Sequence, residues 1–365
     1  LNYLALGILV FVLTWGLLRI QIKYARQLCL MDVPDDRKLQ HKAMPSSGGL
    51  SMIVVLVITS LSGMIQLDIH IVVALSAIGL IGLLDDRFDL SHKIKFIAQI
   101  LVVTYVVVQG YGISNLYGFF GVYELPIIAS FILSLLIGVG LINTLNLIDG
   151  VDGLCASYML MFLVACSIFG NLDLQTENVA YLSGCIIFGF LMVNFSPAKI
   201  YMGDTGSLVI GLLVFICLSK GIVSVSGEYN PRALPFLFGL LLLPVADTFR
   251  LIITRILNKK SPFKADRNHF HHRLLQLGMK DHFVTLSFSI VSIGFGCISM
   301  ILFEDGLDIA FILAMILIYV VTISSINLII DGAVLVQINH SSILHSRKVL
   351  ELNNKLFKNM NHEKV

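Results

Sequence analysis

The sequence predicts an all-α polytopic membrane protein of about eleven transmembrane helices, its N-terminus outside and its C-terminus in the cytoplasm. Three observations lead there. Of the 365 residues, 57% are hydrophobic and 13% charged, where a soluble domain carries about a quarter charged residues. The apolar residues fall into runs of about twenty, the length a helix needs to cross a bilayer. The basic residues gather on alternate connections between those runs, as the positive-inside rule requires of cytoplasmic loops.

In order, the runs lie near 3–22, 48–67, 70–86, 94–110, 126–145, 154–170, 178–194, 206–222, 234–256, 284–303 and 308–330. The first starts at Leu1-Asn2-Tyr3 without a basic leader or a small-residue cleavage site, so a retained span is expected there. The third is uninterrupted only over 71–84, and its end carries Asp85 and Asp86 into the interface. With connections alternating in side, 22 of the 25 Lys and Arg fall on inner segments and inner span ends. Outer connections hold Lys220 and Arg232 and are otherwise acidic, with Glu124, Asp173 and Glu304 among them. The division is then a transmembrane domain at 1–339 and a basic cytoplasmic tail at 340–365. The six cysteines have no metal-ligand spacing, and no disulfide framework is expected.

Every unusual polar cluster falls on the inner side. Asn143-Thr-Leu-Asn-Leu-Ile-Asp-Gly-Val-Asp-Gly153 sets two amides and two carboxylates against membrane-grade sequence, which is costly without a function. Asp-Gly pairs also punctuate ordinary loops, so this stretch alone fits a plain helix end too. If the helix continues through it, Asn143, Asn146 and Asp149 form a polar stripe at three-residue spacing. Amide and carboxylate oxygens suit Mg²⁺, while Gly150 and Gly153 allow close backbone approach. Asp85-Asp86 suits a divalent cation, or one acid serving as base; the plain alternative is a helix cap. Lys93 lies seven residues after Asp86, two helical turns on, where it would share a face and reach a phosphate. The loop Asn194–Ser207 places Asp204 between glycines, with hydroxyl donors following. The segment from Arg267 to Arg273 places three histidines, His269, His271 and His272, among cations. No carboxylate or cysteine completes a zinc site there, so an anion pocket or a lipid-facing basic segment fits better. Asp247, inside the ninth run with Arg250 at i+3, reads as a structural ion pair.

Hard-cation ligands, phosphate-binding cations and adjacent lipid together indicate phosphoryl chemistry on a membrane-embedded substrate. A cation-coupled transporter also carries acids in its spans, but it places them near the midplane with access to both faces. Here they collect at one interface.

Five segments in order, PDDRKLQHKAMPSSGG, GLLDDRFDLSHKIK, NTLNLIDGVDGL, PAKIYMGDTGS and SPFKADRNHFHHRLLQLG, resemble the polyprenyl-phosphate N-acetylhexosamine-1-phosphate transferase superfamily. The resemblance covers residues 34–278, and the span layout extends it further. It implies transfer of N-acetylglucosamine-1-phosphate, or of another N-acetylhexosamine-1-phosphate, from a UDP-sugar to undecaprenyl phosphate, with release of UMP, at the start of O-antigen or other surface-polysaccharide synthesis. Mg²⁺ or Mn²⁺ is the implied cofactor, and the bacterial inner membrane, with the active site facing the cytoplasm, the implied location. By motif, Asp204 and Asn146 match the metal site. Asp85, Asp86, Lys93, His271 and His272 match the catalytic group. Lys42, Asn143, Asp149, Gly150, Asp152, Arg267 and His269 match substrate positions. His-Phe-His-His-Arg departs from the related muramyl-pentapeptide transferases, whose three consecutive histidines precede Phe-Glu, so a peptidoglycan substrate is not expected. Besides its substrates and membrane lipids, a second copy of the chain is an allowed partner, and nucleic acid is not expected.

Overall fold

Long apolar runs become helices here because, in hydrocarbon, a helix satisfies each backbone N–H and C=O within its own segment. The computed structural model describes residues 2–27, 31–32, 43–116, 121–169, 172–221, 233–260 and 269–302, with 316–317, 319–320 and 324. Lys42, Arg267, the tail at 340–365 and most of the run expected near 308–330 lie outside the described residues.

The helices are α1 (Tyr3–Tyr24), α2 (Gly48–Leu61), α3 (Ile69–Phe88), α4 (His92–Val108), α5 (Ile127–Ile148) and α6 (Leu154–Phe169), then α7 (Leu174–Asn194), α8 (Gly203–Gly221), α9 (Ala233–Leu257), α10 (Phe270–Gln276) and α11 (Asp281–Leu302). Among the described residues, seven of these eleven are long and apolar enough to cross a membrane. The protein is thus an all-helical, multi-pass membrane protein. Two strands, β1 (Met31–Asp32) and β2 (Met44–Pro45), form a small antiparallel pair between α1 and α2.

Ten of the eleven expected runs coincide with helices, and two of the differences have simple causes. The run near 48–67 yields only the 14 residues of α2, because Ser62 and the left-handed Gly63 (φ 65°) end it early. The short α10, inside a segment expected as a connection, is begun by an aspartate contributed from α9. Side-chain caps begin several of the others: Asp68 accepts from the His70 N–H, Ser91 from Ile94 and Asp173 from Thr176.

The centre of the bundle is α8, packed against α2, α3, α5 and α6. Its residues from Ser207 to Cys217 are almost continuously buried, although their mean composition is no more apolar than that of its neighbours. Backbone bonds fix how α8 begins. The Tyr201 N–H donates to the Pro45 carbonyl (2.8 Å), and the Gly48 and Gly49 N–H groups donate back to Tyr201 and Met202 (2.9 and 3.0 Å). The first loop and the loop before α8 are thereby held together where α3 ends and α4 starts.

Candidate active site

Asp85 and Asp86 sit in the last turn of α3. The helix stops at Asp89, whose backbone is left-handed (φ 50°), and Ser91 caps a new helix, α4. Asp85 closes this turn by accepting the Leu90 N–H on Oδ1 (2.9 Å). Its Oδ2 takes the Lys95 ammonium at 2.8 Å, and the same Nζ reaches Asp204 Oδ2 at 3.1 Å. Asp204, in the first turn of α8, receives the Asn146 amide on Oδ1 (3.0 Å), and Asn146 Nδ2 also donates to Ser207 Oγ (2.8 Å). Four helices therefore converge on one cation and two carboxylates. The Asp204 side chain keeps 27% of its surface open and Lys95 19%, so the cluster is accessible from one side.

Asp86 faces the same junction differently. Its carboxylate accepts the Asp204 N–H (2.8 Å), the Thr205 N–H (3.1 Å) and the Thr205 hydroxyl (2.6 Å). Asp149 follows the last residue of α5. Burial, and then the charges of Asp204, Asp86 and Asp152, push its carboxyl well above the usual carboxylate range.

The stripe on α5 divides its work. Asn146 faces Asp204, whereas Asn143 forms a reciprocal amide pair with Gln99 of α4 (2.7 and 3.4 Å) and also donates to the Val139 carbonyl. Asp152 accepts the Ala198 N–H (2.8 Å), and Asn194 accepts the Gly153 N–H (3.1 Å) while donating to the Ile200 carbonyl (2.9 Å). These bonds tie the loop after α5 to the loop before α8.

The histidines arrive from α10. A Cβ at Gly150 would lie 3.1 Å from His272 Cε1 and 3.5 Å from His271 Nε2, so the imidazoles pack directly on the Gly150 backbone. His269 is held by Asp247: its Nδ1 lies 3.0 Å from Oδ2, which also accepts the Phe270 N–H (3.0 Å) and so caps α10. Arg250 bonds the other oxygen through Nη2 (2.8 Å) and Nε (3.2 Å). The expected Asp247–Arg250 pair is present and does more than pair charge, because it aims a histidine and starts a helix. His271 is fully buried, and burial followed by its two neighbouring imidazoles holds it well below the usual range, hence neutral. Among the described residues, neither His271 nitrogen has a hydrogen-bond partner, nor does His269 Nε2.

Lys93 differs from expectation. It is exposed, and the shared face with Asp86 does not form because the left-handed Asp89 breaks the helix between them. Lys95 takes the place beside the acids. Asp-Leu-Ser before it is a helix stop followed by an N-cap, and that signal, read strictly, restarts the count at Ser91 and puts Lys95 in the first turn of α4. Thr205 and Ser207 are the hydroxyl donors expected to follow Asp204, whereas Gln99, one further turn along α4, belongs to none of the motifs. Polar residues inside an apolar helix were the available signal.

No group of three or more His, Cys, Asp or Glu forms a closed metal cage among the described residues. Asp204, with Asp85 next to it, is instead the sparse, oxygen-only donor set that suits Mg²⁺ or Mn²⁺, which keep waters and recruit substrate phosphates. Asn146, expected to offer a metal its amide oxygen, instead turns its NH₂ toward Asp204 and so orients that carboxylate.

Comparison with known proteins adds chemistry to this geometry. The model of glycosyl transferase family 4 matches residues 69–221, which run from the start of α3 to the end of α8. A probable undecaprenyl-phosphate N-acetylglucosaminyl 1-phosphate transferase of Bacillus subtilis is 33% identical over 297 residues, 77% of this chain and 79% of that protein. A decaprenyl-phosphate N-acetylglucosaminephosphotransferase of Mycolicibacterium smegmatis is 33% identical over 307 residues, covering 75% and 76%. The undecaprenyl-phosphate alpha-N-acetylglucosaminyl 1-phosphate transferase of Escherichia coli K12 is 29% identical over 281 residues, covering 74% and 75%.

Proposed function

The chain belongs to glycosyl transferase family 4, and we propose on that premise that it transfers N-acetylglucosamine-1-phosphate from UDP-N-acetylglucosamine to undecaprenyl phosphate. The products are undecaprenyl-diphosphate-N-acetylglucosamine and UMP, the first committed lipid of a surface polysaccharide such as O-antigen. The observation that carries this reading is the Asp85–Lys95–Asp204 cluster, in which an ammonium and a partly open carboxylate meet at the end of a membrane bundle. Relatives are named as polyprenyl-phosphate N-acetylglucosamine phosphotransferases, and the region that matches the family, residues 69–221, spans this cluster.

A divalent cation, held by Asp204 with Asp85 beside it, supplies neutralisation of the diphosphate's charge when bound. Lys95 and Asn146 hold the Asp204 carboxylate at a fixed angle, and the Lys95 ammonium is placed to attract phosphate oxygens. The neutral His271 and His269 Nε2 offer hydrogen bonds to the donor, next to the Gly150 backbone. The acceptor needs little help from a base. A phosphate monoester has a second pKa of about 6 and is largely dianionic at neutral pH. Alignment and charge neutralisation therefore dominate the expected catalysis. The distribution of Lys and Arg supports an outer N-terminus, an inner C-terminus and an active site on the cytoplasmic face of the bacterial inner membrane.

The test is an assay of purified enzyme in detergent with undecaprenyl phosphate, Mg²⁺ or Mn²⁺, and a panel of UDP-sugars. UMP release with UDP-N-acetylglucosamine and with no non-acetylated sugar is the expected result. Release with a different N-acetylhexosamine alone would reassign the donor, and release with none would sink the transferase reading.

A further inference from the structure

Asp86 differs from its neighbour Asp85 in how its carboxylate is used. Three donors converge on it: the Asp204 N–H, the Thr205 N–H and the Thr205 hydroxyl. A carboxylate offers about four lone-pair directions. The first amides of any helix have no intrahelical acceptor, and Met202, just before α8, has no side-chain oxygen to serve them. The cap is instead supplied by another helix, α3.

Close backbone approach makes this possible. Gly203 has φ +73°, and a Cβ there would sit 2.5 Å from Asp86 Oδ2. At Gly82, one turn before Asp86, a Cβ would overlap the Asp204 carbonyl and the Thr205 nitrogen. The backbone that bears Asp204 is therefore gripped from below by Gly82 and from the end by the Asp86 carboxylate. Lys95 and Asn146 then fix the Asp204 side chain itself.

We infer that Asp86 is a positioning residue, a helix cap supplied in trans that aims Asp204, and that it is not the proton acceptor of the reaction. Adjacent acids in one motif thus do separate work: Asp85 faces the cation-binding cluster, and Asp86 builds the helix start from which Asp204 projects. The inference rests on the reading in which Asp204 holds the divalent cation.

The experiment compares Asp86→Asn and the milder Thr205→Val with wild type in the full-length, detergent-solubilised enzyme. Loss of a helix cap corresponds to about two- to thirtyfold in local opening, so amide exchange in the peptide containing Asp204 and Thr205 should quicken by that factor. Mn²⁺ binding, followed by electron paramagnetic resonance, should weaken about tenfold in Asp86→Asn and about threefold in Thr205→Val, the scale of one or two lost hydrogen bonds. At saturating Mn²⁺, kcat should return to within about threefold of wild type with its pH profile unchanged in shape, since no proton-transfer group has gone. A proton acceptor behaves in the opposite way. Unchanged Mn²⁺ affinity, with kcat down about 100-fold or more and the ascending limb of the pH profile lost, would overturn the inference. If wild type binds no Mn²⁺, the metal reading alone fails, and exchange at α8 still decides the cap. Unchanged exchange in both variants refutes it. Thr205→Val retains the Asp86 carboxylate and two of its three bonds, so it keeps the question open to test should Asp86→Asn fail to fold.

Discussion

Replacing Lys95 with Met removes the ammonium that bridges Asp85 and Asp204. Its contacts of 2.8 and 3.1 Å to Asp85 and Asp204 correspond to a gross attraction of about 5–6 kcal/mol each at an effective dielectric of about 20. Desolvation of three ions cancels most of that sum. What remains is the cost of leaving two carboxylates facing one another, which for a buried pair is about 3–5 kcal/mol. The cluster is open on the Asp204 side, where 27% of the side chain is exposed, and solvent screens the repulsion there. A destabilisation of about 2–3 kcal/mol follows, about 3–4 °C in the melting temperature of a chain this long. The assay is thermal unfolding in detergent, in chelator and in Mg²⁺. The loss should be largest in chelator and shrink in Mg²⁺, because a divalent cation replaces the missing charge between the acids. Lys93→Met, on an exposed side chain two residues away, should change stability by less than about 0.5 kcal/mol. Equal melting temperatures for Lys95→Met and wild type in chelator would refute the reasoning, as would an equal loss in Lys93→Met.

Three further outcomes are expected. Asp204→Ala should abolish turnover by the UMP-release assay while the protein still folds, and retained activity would remove Asp204 from the site. Asp247→Asn should weaken the Arg250 pair and the α10 cap at a cost of about 2–4 kcal/mol, raise amide exchange over α10 and lift KM for the donor. Gln99→Leu leaves the Asn143 amide with its Val139 bond alone and its oxygen unpaired, and should cost about 1–3 kcal/mol by thermal unfolding. The double variant Gln99→Leu with Asn143→Leu should recover most of that loss, since removing both partners of a buried hydrogen bond is nearly neutral.

The histidine segment shows how far a linear reading reaches. Its composition pointed to an anion pocket or a basic lipid-facing segment ahead of a zinc site, because that preference depends only on which side chains are present. That His269 is aimed by Asp247, 22 residues earlier, and that His271 and His272 rest on Gly150, in the loop after α5, depends on separate elements meeting at one end of the bundle. The Lys93 and Lys95 exchange has a narrower cause. Helical periodicity holds only while the helix continues, and a single left-handed residue at Asp89 rotated everything after it.

By itself the sequence determined the helices, the bilayer and the chemical inventory, because span length and hydropathy are properties of contiguous residues and lipid leaves the backbone no other choice. It also drew attention to Asn143–Gly153 and to the paired acids of α3. Only the tertiary structure decided which acid faces the cation and which caps a neighbouring helix, since Asp85 and Asp86 are adjacent and chemically identical. Their roles separate because successive residues on a helix point about 100° apart, and one direction leads to Lys95 while the other leads to the first amides of α8.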